Sequence, residues 1–145
     1  MRKLPIVLAI ILGAVLVVVM SGSVSWADSP MAKSLYRGKY WTPTLADCRQ
    51  AIMRRESSFN YRAANPTSSA RGAYQFLDRS WRESLVHMLR PEVKRDYPHR
   101  RETLESLTGK SIHKWPRWYQ DAAWYTVVVK HDGVHHWSPV PSACR

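Results

Sequence analysis

Apolar residues recur at helical spacing in three stretches of this chain. In the first, Leu45, Cys48, Ile52 and Phe59 are separated by three, four and seven positions, the spacing of one helix face. This predicts a helix capped by Thr44 and running to about Phe59. The second opens at Ser80-Trp81-Arg82-Glu83, which reads as a capping box. It should bury Trp81, Leu85 and Leu89 and end before Pro91, with charged, irregular chain from Pro91 to Arg101. A short helix over Glu102–Leu107 should stop at Gly109. The third has Pro116 in its first turn, then Trp118, Ala122, Tyr125, Thr126 and Val129 on one side, and Gly133 at its end. Val127-Val128-Val129 is β-branched and by itself favours a strand, but the surrounding period is that of a helix. Asn65-Pro66 and Ser68-Ser69 mark Asn60–Arg71 as a loop. Gly72-Ala73-Tyr74-Gln75-Phe76 is either extended or a turn. Asp28–Trp41 shows no period and reads as a loose lead-in, and His135–Arg145 as a coil. The expected fold is mainly α, in one small domain.

The N-terminus follows a different pattern. Met1-Arg2-Lys3 precedes an apolar run from Leu4 to Met20, then Ser-rich sequence and Ser25-Trp26-Ala27. A charged start, an apolar core and small residues before a cut describe a secretory signal peptide, with cleavage expected after Ala27. An uncleaved membrane anchor is the alternative, since the run is at the short edge for spanning a bilayer. The expected organisation is therefore a signal or anchor over 1–27, a lead-in over 28–43 and the domain over 44–145. Either way the domain is exported, to the cell envelope or beyond.

Removing residues 1–27 takes away Arg2 and Lys3 and no acid. It leaves 118 residues with 20 basic and 11 acidic side chains, a net charge of +9. That length supports one core. The charge favours anionic surfaces such as cell-wall polymers, membranes or nucleic acid. No nucleic-acid-binding motif accompanies it and the basic residues are dispersed, which argues against a nucleic-acid partner. Cys48 and Cys144 are the only cysteines. In an exported chain one disulfide between them is the simplest account, and two free thiols the alternative.

Glu56 lies four residues after Ile52 and three before Phe59, on the apolar stripe of the first helix, with Arg49, Arg54 and Arg55 expected around the other sides. A carboxylate in such a place is costly unless it is paired, hydrogen-bonded or protonated. Proteins accept that cost most often where a carboxyl group does chemistry. Equally, a Glu at a helix end can turn to solvent or pair with an Arg.

The residues around Glu56 form a longer pattern. Glu56-Ser57, two residues and Asn60-Tyr61 are followed, after a loop, by Gly72, two residues and Gln75-Phe76, then four residues and Trp81. In this the chain resembles the lysozyme-like lytic transglycosylases, most closely the transglycosylase-like domain of resuscitation-promoting factors. The match covers Leu45 to Trp81 and, more loosely, Asp121 to Cys144. Leu89–Trp115 has no counterpart, and Cys48 stands two turns before the Glu where the family has a cysteine beside it. The resemblance implies a lysozyme-like domain with a substrate groove, peptidoglycan glycan strands as partner and no cofactor. It implies Glu56 as acid and then base, the second time on the muramic acid's own C6 hydroxyl, to leave a 1,6-anhydro sugar.

Glycoside cleavage needs a proton on the leaving oxygen, and a carboxyl group in an apolar pocket can hold one near neutral pH, as in lysozyme. Hydrolysis also needs a placed water or a second carboxylate. Asp47, Asp78 and Asp132 are candidates for the latter, but they fit helix ends. Asp47 is nine residues before Glu56, about 13 to 14 Å along a helix, beyond the roughly 5 to 9.5 Å that paired carboxylates use. A lone acid suits a lytic transglycosylase, with muramidase action or non-catalytic wall binding as the alternatives.

Substrate contacts are expected from Gln75, by resemblance a groove residue with a flat donor–acceptor pair, and from Tyr74 as a sugar-stacking face. Ser57 is placed near Glu56, Asn60 beside the motif, and Tyr125 on a late helix from which related enzymes send a Tyr to the acid. Tyr74 and Trp81 also suit core packing, Ser57 helix capping, and Asn60 loop stabilisation. His131, His135 and His136 cluster near Trp137 without a completing ligand, so no metal is expected. The protein is expected to act as a monomer.

Overall fold

The last long helix is the centre of the molecule. In the computed structural model, which describes residues 29–131 and 133–145, Arg117–Lys130 is helical and each of its residues from Trp118 to Val128 is buried. A helix apolar nearly all round must be covered on all sides, and the other elements do so. In chain order they are α1 (Pro43–Ser57), a hairpin of β1 (Ala70–Arg71) and β2 (Phe76–Leu77), α2 (Asp78–Asp96), the short α3 (Arg101–Ser106) and this central α4. Single 3-10 turns fill most of the connections and the tail. The fold is mainly α, as expected. The strands are antiparallel, with Ala70 opposite Leu77 and Arg71 opposite Phe76, so Gly72–Gln75 is a turn. The Val127-Val128-Val129 run is helical because its first two side chains pack inward. The proposed signal segment lies outside the described residues. Among those described, no helix is long and apolar enough to cross a membrane.

Several boundaries differ from expectation. The cap of α1 is Thr42, whose hydroxyl accepts from the Leu45 N–H at 3.1 Å, with Pro43 in the first turn. The capping box at Ser80 does not form. α2 starts two residues earlier at Asp78, whose carboxylate accepts from the Ile112 N–H at 2.7 Å. Pro91 lies inside α2 rather than beyond it, and the helix continues to Asp96. A proline there costs about 3 kcal/mol. Val93 and Glu92, both buried one turn on from Leu89, hold the helix through it. Glu92 also accounts for the supposed loose lead-in, which is packed. Its Oε1 accepts from the Tyr36 hydroxyl at 2.7 Å and the Lys39 N–H at 3.0 Å, and Ala32 and Tyr36 are fully buried. A side chain on Gly38 would collide with that same Glu92 oxygen, so only glycine lets the segment lie this close.

The Cys48–Cys144 disulfide is formed, with no free cysteine among the described residues. It joins α1 to the last turn of the chain. Such a bond fits an oxidising, extracellular compartment.

Candidate active site

The end of α1 sets the geometry. The helix stops where Ser58 turns left-handed at φ 51°, donating its N–H to the Arg54 carbonyl at 3.2 Å. Phe59 follows at φ 64°, a rare conformation for an aromatic residue, held by burial of its ring. The chain therefore reverses directly after Glu56-Ser57. Ser57 Oγ donates to the Ala73 carbonyl at 2.8 Å. That bond connects the two halves of the motif, 16 residues apart, at the hairpin turn. Gln75 in the same turn is also left-handed, at φ 52°, and its amide donates to the Gly72 carbonyl at 3.0 Å. Gln120 of α4 fixes the turn from beneath. Its Oε1 accepts from the Ala73 N–H at 3.0 Å and its Nε2 donates to the carbonyls of Tyr61 and Trp115, both at 3.1 Å. A side chain on Gly72 would strike Gln120. Ser58, Phe59 and Gln75 thus put three non-glycine residues in left-handed backbone within one motif, a cost on the order of 1 kcal/mol or more each that the surrounding contacts must offset.

Glu56 itself is only partly enclosed, its side chain 24% exposed. It is not on the buried stripe of α1, which is Cys48, Arg49, Ile52 and Met53. Arg55 Nε donates to its Oε1 at 2.9 Å. Its Oε2 has no partner among the described residues. Arg55 also donates to the carbonyls of Pro139 and, at 2.6 Å, Trp137. The carboxylate thus stands at the junction of α1, the hairpin turn and the C-terminal tail.

Beyond the tail lie two hollows that share Trp81 and His136. The smaller, about 100 Å³, is lined by Gln75, Phe76, Leu77 and Trp137 as well. The larger, about 710 Å³, opens between α2 and the tail, with Glu83, Ser84, His87, Met88 and His131 on its walls. Glu56 lines neither. Trp81 is half-buried, with the His136 ring edge-on to it at 4.9 Å. His136 is held below the ordinary imidazole value, first by burial and then by His135 and His131. Among the described residues no three His, Cys, Asp or Glu side chains converge as a metal site would require.

Two expected contact residues belong to the interior. Tyr74 is fully buried, its ring stacked on Trp124 and its hydroxyl donated to Asp121 at 2.5 Å, so it presents no face to a sugar. Tyr125 is fully buried against the ring of Tyr36 at 5.3 Å and forms no hydrogen bond to Glu56. Asn60 is exposed and its Oδ1 accepts from the Arg62 N–H at 2.8 Å, the loop-stabilising role.

Arg49, expected off the apolar stripe of α1, is part of it and fully buried. Its Nη1 lies 3.3 Å from Asp121 Oδ1, which also accepts from Tyr61 at 2.6 Å. Asp121 Oδ2 accepts from the Leu35 N–H at 2.8 Å and the Ser34 hydroxyl at 3.2 Å. Burial favours loss of the Arg49 proton. The Tyr74 hydroxyl, the Asp121 carboxylate and Tyr61 outweigh it and hold the guanidinium above its ordinary value. The Tyr61 hydroxyl is pushed up to about 12, chiefly by burial and next by the Asp121 charge. Sequence reasoning missed Asp121, although the signal was present: it lies three residues after Trp118 and four before Tyr125, on their stripe.

No protein-family model, curated protein or solved structure matches this chain.

Proposed function

We propose that this protein is an exported peptidoglycan-cleaving glycosidase. Within that class, we propose a lytic transglycosylase that cuts the β-1,4 bond between N-acetylmuramic acid and N-acetylglucosamine. The observation that carries the reading is the Ser57–Ala73 bond. It brings the Glu-Ser half of the motif against the Gly-x-x-Gln-Phe half, beside a carboxylate with one free oxygen. Arg55 on Oε1 fixes the carboxyl group. In its protonated form the group gives a proton from Oε2 to the leaving glycosidic oxygen, and the resulting carboxylate accepts the proton of the muramic acid C6 hydroxyl as that oxygen bonds to C1. No water is consumed. We propose that the two hollows sharing Trp81 form the rest of a groove, with Gln75 in the lining of the smaller one.

Three of the described acids are engaged elsewhere, which favours anhydro formation over hydrolysis; Asp132 lies outside the described residues, and Glu83 lines the larger hollow. Asp78 is engaged by the Ile112 N–H, Asp121 by Arg49 and two phenols, and Glu92 by Tyr36. One observation favours a non-catalytic wall-binding module instead: Glu56 is ion-paired to Arg55 at 2.7 Å and lines neither hollow. Digestion of purified peptidoglycan separates the readings. Wild type is expected to release muropeptides ending in 1,6-anhydro-N-acetylmuramic acid, lighter by one water than hydrolysed products. Glu56→Gln should lower the rate by about 100-fold or more, with its thermal melt unchanged. Reducing-end products alone would make the protein a muramidase, and binding without cleavage by wild type would make it a wall-binding module.

A further inference from the structure

On the loop side of the hairpin a separate hollow of about 290 Å³ is formed by Pro66, Thr67, Ser68, Ser69, Arg71 and Arg79. We propose that it binds a phosphate-ester anion, of the kind carried by polyol-phosphate polymers of the cell wall. None of its residues belongs to the site around Glu56.

The donors are arranged for an anion. Arg71 is anchored through Nη1 to the carbonyls of Asn65 at 3.0 Å and of Ser68 and Ala70 at 2.8 Å. Among the described residues, its Nε and Nη2 have no acceptor. The guanidinium is thus held in place with the remaining donors of its fork free, which is how Arg recognises phosphate. Arg79 is exposed and makes no ion pair or hydrogen bond among the described residues. Ser68 Oγ accepts from the Ala70 N–H at 3.2 Å, so its own proton remains to donate. The Ser69 hydroxyl has no partner among the described residues, whereas that of Thr67 is donated to Asn65 at 3.0 Å.

Among the described residues no acid lines the hollow. The nearest in sequence, Asp78, directs its carboxylate to the Ile112 N–H at 2.7 Å and to Arg82 at 3.6 Å. The local field is positive: His113 is depressed first by burial, then by Lys114 and Arg71, and further by Arg62, with the Asp78 carboxylate opposing them. Pro66 is the sole apolar residue of the lining, so the hollow can hold an anionic group but offers nothing to enter a bilayer.

The test is titration of the protein, purified from an oxidising compartment, at constant ionic strength. The probes are inorganic phosphate and a glycerol phosphodiester, followed by amide NMR shifts. Saturable shifts at Ser68, Ser69, Ala70, Arg71 and Arg79 are expected with both probes. Arg79→Ala should weaken both by about tenfold, and Ser69→Ala by less. Glu56→Gln should bind the probes as wild type does, and Arg79→Ala should cleave phosphate-free glycan as wild type does. This separates failure at the hollow from failure of the proposed activity. Shifts that sodium chloride reproduces, or that survive Arg79→Ala, would overturn the proposal. So would binding confined to vesicles of anionic phospholipid, which would mark a membrane contact.

Discussion

Removing the charge of Asp121 leaves the Arg49 guanidinium buried and unneutralised, since its other partners are the phenols of Tyr61 and Tyr74, the Met53 sulfur and the Ala32 carbonyl. Breaking a fully buried pair from one side costs about 3 to 5 kcal/mol, whereas replacing both members by apolar residues of similar volume can be neutral. Asp121→Asn should therefore cost about 3 to 5 kcal/mol in urea unfolding, and Arg49→Met with Asp121→Leu no less, because it also takes the acceptor from the Leu35 N–H and from the Ser34, Tyr61 and Tyr74 hydroxyls. A double variant clearly less damaging than Asp121→Asn would show that those four hydrogen bonds add little to mutual neutralisation. Two histidines carry a second residue-scale prediction. His113 and His136 are both depressed below 6.5, burial being the first cause for each. A group depressed in the folded state binds fewer protons there than in the unfolded chain, so its contribution to stability is complete above the unfolded value near 6.5 and is lost as pH falls through the folded value. The melting temperature should fall between about pH 7 and pH 5, and His113→Gln with His136→Gln should flatten that slope. An unchanged slope would assign the pH dependence to other groups.

At the scale of elements, the left-handed end of α1 is the feature most open to test. Glycine is the usual residue where a helix closes this way, and a side chain at such an angle costs roughly 1 kcal/mol or more. Ser58 occupies it at φ 51° while exposed. Ser58→Gly should stabilise the protein by about 1 kcal/mol, less the added freedom of glycine in the unfolded chain. A loss of stability would show that the Ser58 side chain makes a compensating contact. The helices themselves were legible in the sequence because their stripes are long: α1, α3 and α4 lie where period and punctuation place them. Their ends were less so. Local signals favoured Thr44 over Thr42 and Ser80 over Asp78, and a proline argued for the end of α2. Tertiary contacts decided otherwise, through Val93 and Glu92 beyond Pro91. The packing of Tyr36 was illegible for the same reason, since its partner Glu92 is 56 residues away. At the candidate site the depth of the residues was not legible. The stripe argument that selected Glu56 describes Asp121 better. Tyr74 and Tyr125 went inward because α4 needs cover on every side.

For the whole molecule the decisive link is the one between α1 and the tail. Cys48 and Cys144 are 96 residues apart, so the bond closes nearly the entire described chain. Constraining a loop of that length in the unfolded state is worth about 4 to 5 kcal/mol in the chain-entropy model. The tail has two further attachments: Arg55 holds the carbonyls of Trp137 and Pro139, and the Trp137 indole donates to the Tyr74 carbonyl at 2.7 Å. These predict different consequences for different parts of the tail when the disulfide is removed. Cys48→Ser with Cys144→Ser should lower the melting temperature by on the order of 10 to 20 °C. Below that temperature the buried Trp137 indole should stay protected from hydrogen exchange while residues 140–145 become labile. The proposed peptidoglycan cleavage should then persist at low temperature, because the Arg55 contacts that hold Glu56 reach the tail before Pro141. If Trp137 lost protection together with the last six residues, the tail would be one cooperative unit whose attachment depends on the disulfide. Cleavage should in that case disappear with the bond, even in the folded protein.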